Sequence, residues 1–310
     1  AEFQHRVQLV QDFEFPTASS TLKMSRDGAY VVAGGCYKPM IRIFELSEMG
    51  MKCERFVDSE VVKLEVLSDD YRKLLLLQAD RTLEVHAAYG RHFRCRIPKF
   101  GRDLLYQRPS AEAFVAASGS DVYRLSLEAG QYLAPLVTSS PSVNALDLSP
   151  LHHLLGCAGE DGVVECFDTR ARKSVARLQV NDGAAPLTAI RFDTDGLTMG
   201  CGDGAGRVAI YDLRRRTPVT VKEHPNELPI NSIRFHHGTS SSDAPRRVLS
   251  ADTRAIRIWD LQDHRSESSS KPGGGGGGGA SSNNKFAIGA KQRSKNGLFT
   301  TIEAPAGIAE

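Results

Sequence analysis

The sequence lacks the patterns that would indicate a membrane protein or a metal centre. No apolar run approaches the roughly 18 residues that a membrane-spanning helix needs. None of the six cysteines forms a CxxC pair, and no cysteine–histidine cluster has the spacing of metal ligands. The net charge of +2 is too small to demand a nucleic-acid partner. We therefore expect buried, reduced cysteines, no metal, no cofactor and no membrane partner.

Amphipathic helical patterns are also scarce, and alternation with a period of two residues takes their place. Residues 207–213 (RVAIYDL) and 255–261 (AIRIWDL) alternate polar and apolar side chains and end in an aromatic residue and Asp. The alternation predicts strands with one buried face. The aromatic-Asp ending is typical of the third strand of a β-propeller blade. A polar link, two more strand patterns and their turns lie between the two copies and complete one repeat.

Equivalents of the aromatic position recur along the whole chain. Successive equivalents are 42, 39, 42, 44 and 48 residues apart, and a four-stranded propeller blade occupies about 40–45 residues. Turn signals such as SRDG at 25–28 and DTDG at 193–196 recur at the same phase. The equivalent positions are Phe44, His86, Leu125, Phe167, Tyr211 and Trp259.

These spacings predict an all-β fold, a single WD40-type β-propeller domain over residues 1–310. Six blades of an expected seven are present, which makes the ring truncated or open. Residues 6–13 are predicted to be the outer strand that closes a final blade, and a ring that closes with six blades is the alternative. Residues 74–77 are expected to be an apolar inner strand. The predicted blades cover 19–57, 61–97, 102–137, 143–180, 187–221 and 230–303.

Residues 264–296 interrupt the sixth blade and contain seven consecutive glycines, Gly273 to Gly279. Such a segment buries too little apolar surface to offset its ordering entropy, which predicts a disordered Gly/Ser-rich insertion. Residues 263–296 carry six Lys/Arg against two Asp/Glu, a net charge of +4. A solvated insertion and a tether for nucleic acid or an acidic partner are the two alternatives.

The hydrogen-bond network of typical WD repeats, which joins His, Ser, Asp and Trp, is expected to be mostly missing. No Gly-His dipeptide occurs, and Ala205 and Thr253 stand where the pattern places a tight-turn Asp. His224, Ser250 and Asp252 form a catalytic triad only on paper, since such residues point into a blade rather than at a cleft. We predict no catalytic residue and no small-molecule substrate, so the protein is not expected to be an enzyme.

Basic residues cluster in or beside turns of the last two repeats. Turns project from the two faces of a propeller, where cations neutralise phosphates. A solvated turn is the alternative for each cluster. The candidate RNA contacts are Arg214, Arg215, Arg216, Arg246 and Arg247.

Several stretches are closer to one family than to WD repeats in general. LSDDYRK at 67–73, IPKFGRD at 97–103, residues 211–237 and LSADTR at 249–254 resemble the nucleolar protein ten family. Those proteins are eukaryotic WD-repeat factors of the small-subunit processome. The resemblance implies a seven-bladed propeller in the nucleolus that acts as a non-catalytic scaffold during processing of the precursor of small-subunit ribosomal RNA.

The same resemblance implies partners among other ribosome-assembly proteins, with pre-ribosomal RNA as a second candidate. Two stretches in the links between blades, IPKFGRD and NELP, are less well explained by strand packing than their surroundings. Links and turns of a rigid β disc are suited to receive partner segments. The predicted partner-binding residues are Lys99, Phe100, Arg102, Leu228 and Pro229.

Overall fold

Six antiparallel four-stranded sheets account for the described chain and confirm the predicted all-β propeller of six blades. No α-helix occurs in the described ranges, so none of their segments is a helix long and apolar enough to cross a membrane. The computed structural model describes Phe13 and residues 15–180, 183–237, 246–261 and 298–303.

Each blade is a meander whose strands follow chain order from the centre of the ring to its rim. Blades 1 to 3 contain β1 Ser19–Met24, β2 Tyr30–Gly35, β3 Met40–Glu45, β4 Gly50–Phe56, β5 Val61–Val66, β6 Leu74–Gln78, β7 Thr82–Ala87, β8 Gly90–Arg96, β9 Gly101–Gln107, β10 Glu112–Ala117, β11 Asp121–Ser126 and β12 Gln131–Val137. Blades 4 to 6 contain β13 Val143–Leu148, β14 Leu154–Gly159, β15 Val163–Asp168, β16 Lys173–Gln179, β17 Leu187–Phe192, β18 Thr198–Asp203, β19 Arg207–Asp212, β20 Thr220–Glu223, β21 Ser232–His236, β22 Arg246–Ala251, β23 Ala255–Leu261 and β24 Leu298–Glu303.

Two sequence predictions fall on parts of the chain outside this description. Of the outer strand expected at residues 6–13, only Phe13 is described, and the glycine-rich insertion at 264–296 lies wholly outside. Both remain predictions, as do the bounds of the single domain.

Apolar side chains form the core between successive blades. The cluster between blades 1 and 2, for example, includes Val32, Ile41, Val61 and Leu74. Every residue of β6 is buried, yet β6 is the second strand of its sheet and not the inner strand that we expected; β5 lines the centre. The reason is that neighbouring blades cover both faces of a second strand, which favours a continuous apolar run.

Small residues in the second strands allow blades to approach closely. A Cβ atom at Gly202 of β18 would lie 2.7 Å from Cβ and Cγ2 of Ile230, which begins the next blade. These two atoms of Ile230 cannot move away, because the Ile230 side chain is fully buried in the packed core. Glycine at this position therefore sets the distance between blades 5 and 6.

A side-chain hydrogen bond near the channel joins several neighbouring blades. The second residue of an inner strand donates to a backbone carbonyl oxygen where the chain enters the inner strand of the following blade. These bonds run from Ser20 to Val61 at 2.8 Å, from Asn144 to Leu187 at 2.7 Å and from Thr188 to Ile230 at 2.7 Å.

Blades 6 and 1 do not meet in this way. Asn231 holds the equivalent position in blade 6, and its buried Nδ2 has no hydrogen-bond partner among the described residues. Inner strands pack side by side from β1 round to β21, whereas β21 and β1 do not. Leu22 and Met24 on β1 are 65% and 59% exposed. The described part of the ring is therefore open between blades 6 and 1.

Candidate functional site

The antiparallel meander divides the connections between strands over two faces of the disc. We call the face that carries the links between blades, such as 97–100 and 224–231, the link face. We call the opposite face, which carries the first and last turns of each blade, such as 25–29 and 213–219, the turn face. The predicted partner-binding residues belong to the link face, and the predicted RNA contacts belong to the turn face.

The link between blades 2 and 3 presents an aromatic ring between two cations. Phe100 is 59% exposed, and the Arg81 guanidinium lies 5.2 Å from the centroid of its ring. Lys99 lies on the other side of the link, with Nζ 3.9 Å from a carboxylate oxygen of Asp121. Ile97 is buried and anchors the link in the core. This segment therefore offers an apolar surface with positive charge beside it.

Arg102, which we predicted to bind a partner, also joins two blades. Its guanidinium donates to Oγ of Ser142 at 3.0 Å and contacts Oδ1 of Asn144, both in blade 4. The carboxylate of Glu160 lies 3.6 Å away. Its charge is therefore largely engaged within the chain, and a substitution at this position would disturb the contact between blades 3 and 4.

The five predicted partner-binding residues do not form one patch. Arg102 and Pro229 both line a cavity of about 450 Å³ at the link-face end of the central channel. Pro229 is exposed and Leu228 is half-buried. Lys99, Phe100 and Leu228 do not line that cavity. Because the links at 97–100 and 224–231 are three blades apart, they form two separate surfaces around the mouth of the channel.

A ring of charged side chains lines the channel at greater depth, around a cavity of about 170 Å³. Lys23 and Glu65 pair across blades 1 and 2 at 2.5 Å, and Arg191 and Asp147 pair across blades 5 and 4 at 2.9 Å. Burial raises the pKa of Glu65 and of Asp147, and the neighbouring cations oppose that shift. Arg234 lies in the same ring, and burial lowers its pKa.

Our sequence reasoning missed this ring, although a signal for it exists. Five inner strands carry a charged residue at the equivalent position, between two apolar residues. These residues are Lys23, Glu65, Asp147, Arg191 and Arg234. The ion pairs tie adjacent blades together. Within the described ranges, no three His, Cys, Asp or Glu side chains converge as metal ligands.

Blade 6 contains the complete WD-repeat network, so the expectation of a mostly missing network does not hold for this blade, whereas the structural hydrogen bonds expected of His224, Ser250 and Asp252 are present. His224 binds Oδ2 of Asp252 through Nδ1 at 2.9 Å and Oγ of Ser250 through Nε2 at 2.7 Å. Trp259 donates from Nε1 to the same Ser250 hydroxyl at 2.9 Å. Asp252 fills the role that a fixed count back from Trp259 assigned to Thr253, because it is the first residue of its tight turn, whereas Asp161 of blade 4 is the second residue of a turn of the same length.

The geometry makes this network structural. His224, Ser250 and Asp252 are all buried, and they line no shared cleft. Burial lowers the pKa of His224 and outweighs the opposing effect of Asp252. Burial would raise the pKa of Asp252, but hydrogen bonds from the backbone N–H groups of Arg254 and Ala255, together with the bond to His224, lower it overall.

On the turn face, three of the five predicted RNA contacts are engaged with carboxylates. Arg214 binds both carboxylate oxygens of Asp212, at 2.9 and 2.7 Å, and these bonds lower the pKa of Asp212 to about 2. Arg246 pairs with Asp195 at 2.8 Å and Arg247 with Asp260 at 3.2 Å.

Two of the predicted RNA contacts belong to a strand. Arg246 and Arg247 begin β22 rather than precede the strand, because they pair with Leu261 and Asp260 of β23. Arg215 and Arg216 are exposed. Within the described ranges no carboxylate pairs with either of them. Both guanidinium groups are therefore exposed without an ion-pair partner at contact distance, and after the bonds from Arg214 the charge of Arg215 also helps to lower the pKa of Asp212.

Comparisons with known proteins agree with this architecture. A family model described as "Nucleolar protein 10-like, N-terminal domain" matches residues 1–276. Nucleolar protein 10 of Xenopus laevis is 43% identical over 268 residues, which are 83% of this chain and 38% of that protein. The ribosome biogenesis protein enp2 homolog of Schizosaccharomyces pombe is 41% identical over 272 residues, 83% of this chain and 43% of that protein.

The ribosome biogenesis protein ENP2 of Saccharomyces cerevisiae is 36% identical over 272 residues, which are 86% of this chain and 38% of that protein. The chain thus spans about two fifths of the length of these relatives. The family match covers five of the six blades and most of the sixth. This chain belongs to the Nucleolar protein 10-like family and carries the N-terminal β-propeller domain of that family.

Proposed function

We propose that this propeller is a non-catalytic scaffold of small-subunit ribosome biogenesis, which docks other assembly proteins in the nucleolus through its faces and rim. The names of the relatives support the setting, since they are called nucleolar proteins or ribosome biogenesis proteins. In this proposal the chain acts within the processome, where pre-ribosomal RNA is processed, and contributes binding surfaces rather than chemistry.

The exposed Phe100 on the link face is the observation that carries the proposal. A large aromatic side chain held on a rigid link loses little entropy on binding, and residues of this kind dominate the binding energy of interfaces. Arg81 and Lys99 on either side favour a partner segment that carries acidic residues. Ile97 fixes the link from below, so the surface is formed before the partner arrives.

The link between blades 5 and 6 is the second docking surface in this proposal. Pro229 is exposed and its ring has few conformations to lose. Leu228 beside it is half-buried, and the buried His224 and Ile230 hold the two ends of the link. A rigid apolar edge of this kind suits an extended partner segment.

Replacement of Phe100 and Lys99 tests the first surface and leaves the contact that Arg102 makes with blade 4 in place. We expect Phe100→Ala with Lys99→Glu to reduce recovery of small-subunit assembly proteins in a nucleolar pull-down quantified by mass spectrometry. Loss of one central anchor costs about 2 kcal/mol, or roughly 30-fold in affinity. Lys173→Glu on the exposed β16 is the matched control. Unchanged recovery with the Phe100 and Lys99 variant, at equal solubility and thermal stability, contradicts the proposal.

Direct binding of pre-ribosomal RNA is the second candidate, and the exposed guanidinium groups of Arg215 and Arg216 favour it. We expect affinity for a precursor RNA fragment to fall steeply with salt and to weaken when both residues are changed to Glu. Asp212→Asn, which releases Arg214 from its carboxylate, is expected to strengthen binding. Salt-independent retention, or no response to these variants, rules out this turn as an RNA contact.

A further inference from the structure

A groove of about 650 Å³ opens on the turn face between blades 2 and 3. Apolar and aromatic side chains form most of its lining, including Leu67, Tyr89, Phe93, Tyr106 and Leu127. Tyr89 is 76% exposed and Phe93 is 43% exposed. These side chains give the groove the size and the apolar character of a binding site for a peptide side chain.

The groove exists because two neighbouring blades lack the large aromatic residue at the end of the third strand. Blades 1, 4, 5 and 6 carry Phe44, Phe167, Tyr211 and Trp259 at that position, and all four are buried. Blades 2 and 3 carry the smaller His86 and Leu125 there, and both line the groove. Nothing in the described chain fills the volume that two aromatic rings would occupy.

His86 also offers a polar group that no described residue satisfies. Its side chain is 4% exposed, and Nε2 lies 3.0 Å from Oε2 of the buried Glu84. Nδ1 is buried and has no hydrogen-bond partner among the described residues. A buried polar atom without a partner is costly, so a ligand that reaches this ring from the groove can gain by bringing a polar group.

The charged and polar side chains that line the groove indicate the charge of the ligand that it suits. The lining includes the side chains of Lys73, His86 and His92, and it includes no Asp or Glu. Lys73 is exposed at the edge of the groove. The groove is therefore complementary to a ligand that carries negative charge beside an apolar group.

We propose that this groove binds an extended segment of a partner protein in which a bulky apolar side chain is flanked by acidic residues. The apolar side chain fills the space left by the missing aromatics, a polar group of the segment contacts the ring of His86, and an acidic side chain pairs with Lys73. The groove lies on the opposite face from Phe100, so this inference does not depend on the link-face surface.

Binding of a defined peptide to the intact chain tests the inference. The probe is a fluorescein-labelled decapeptide with a central Phe-Leu pair between two acidic residues on each side, followed by fluorescence anisotropy. We expect saturable binding that weakens at least tenfold with His86→Phe, which fills the groove, and severalfold with Lys73→Glu. Tyr89→Ala, at an exposed position that tolerates change, is expected to weaken binding without affecting folding.

Three controls keep the outcome decisive. Lys173→Glu and Val175→Ala, both on the exposed strand β16, are expected to leave peptide affinity unchanged, and a decapeptide with lysines in place of the acidic residues is expected not to bind. Absence of binding, or binding that survives both Tyr89→Ala and Lys73→Glu, overturns the inference. Equal binding of the lysine peptide also overturns the inference. So does sedimentation that shows the chain to self-associate in a way that prevents peptide binding.

Discussion

Thr188 of blade 5 donates its hydroxyl hydrogen to the carbonyl oxygen of Ile230 in blade 6 at 2.7 Å. The acceptor lies in the link that enters blade 6, two residues before β21 begins. Ser20 and Asn144 make the same bond at their own blade boundaries. These bonds fix how each blade is seated on the next, in addition to the apolar packing between sheets.

Removal of the Thr188 hydroxyl is expected to destabilise the contact between blades 5 and 6. Thr188→Val keeps the shape of the side chain and leaves the Ile230 carbonyl oxygen without its donor. An acceptor stranded in this way costs about 1–2 kcal/mol. Urea unfolding followed by fluorescence measures the change in the free energy of unfolding. Thr188→Ser, which keeps the hydroxyl, is expected to lose much less, and equal losses for Val and Ser contradict this role.

Acid is expected to destabilise blade 6 through His224. The pKa of His224 is lowered in the folded chain, so the unfolded chain binds a proton first as the pH falls. The stabilising contribution is therefore complete above the ordinary pKa of about 6.5 and is lost as the pH falls from there towards the lowered value. The lowered pKa of Asp252 adds a further loss below about pH 4.

Thermal unfolding between pH 7.5 and 5 measures this effect. His224→Gln removes the titrating group and keeps polar atoms towards Ser250 and Asp252. We expect this variant to be less stable at pH 7.5 and to show a flatter dependence of melting temperature on pH. A variant whose melting temperature falls with pH as steeply as that of the unchanged chain would show that His224 is not the responsible group.

Three buried cysteines are expected to be unreactive in the folded chain. Burial raises the pKa of Cys166 to about 11 and also raises the pKa of Cys157 and of Cys201. The thiolate is the reactive form, so alkylation by iodoacetamide at pH 8 is expected to be slow at these positions. Mass spectrometry of digested samples gives the extent at each cysteine. Rapid labelling of Cys201 without denaturant would contradict the packing between blades 4 and 5.

Breaking the ion pair of Arg124 and Glu112 by a single substitution is expected to lower the free energy of unfolding more than replacing both residues does. Arg124 is 1% exposed, and its Nη2 and Nε lie 2.6 and 3.1 Å from Oε2 of Glu112. Glu112→Leu leaves a buried cation without its partner, at a cost of about 3–5 kcal/mol in the free energy of unfolding. The double variant with Arg124→Met is expected to recover most of that loss in urea titrations. A double variant as unstable as Glu112→Leu alone is the contrary result.

The six-bladed sheet architecture followed from the sequence because alternation and spacing repeat along the chain. The aromatic-Asp pairs placed the third strands of blades 4 to 6, and the regular spacing placed those of blades 1 to 3. Structural hydrogen bonds of His224, Ser250 and Asp252 were expected, but the role of Asp252 as the turn Asp was not, because a fixed count from the aromatic residue assumes that the Asp occupies the same position in every turn. Asp203 shows the same effect in blade 5, where its carboxylate accepts from the backbone N–H of Ala205 and of Arg207.

Contacts between blades could not be derived from the repeat pattern alone, even where the pattern places the residues that make them. The groove follows from the coincidence of His86 and Leu125 in adjacent blades. The ring that contains Lys23 and Glu65 depends on which side of each inner strand faces the channel. The role of Arg102 at a blade boundary likewise requires the three-dimensional position of Ser142. Local patterns fix the strands, and only the assembled ring decides which charges meet.

A photo-crosslinker in place of Phe100 tests the scaffold proposal most directly. Incorporation of p-benzoylphenylalanine at Phe100 keeps the exposed aromatic ring on the link face, and the same group at Val175 on the rim strand β16 is the comparison. After irradiation of native pre-ribosomal particles, we predict that Phe100 yields crosslinks to small-subunit assembly proteins in larger amount than Val175 does. Crosslinks from Phe100 to RNA alone, or no more protein crosslinks than from Val175, would contradict the account.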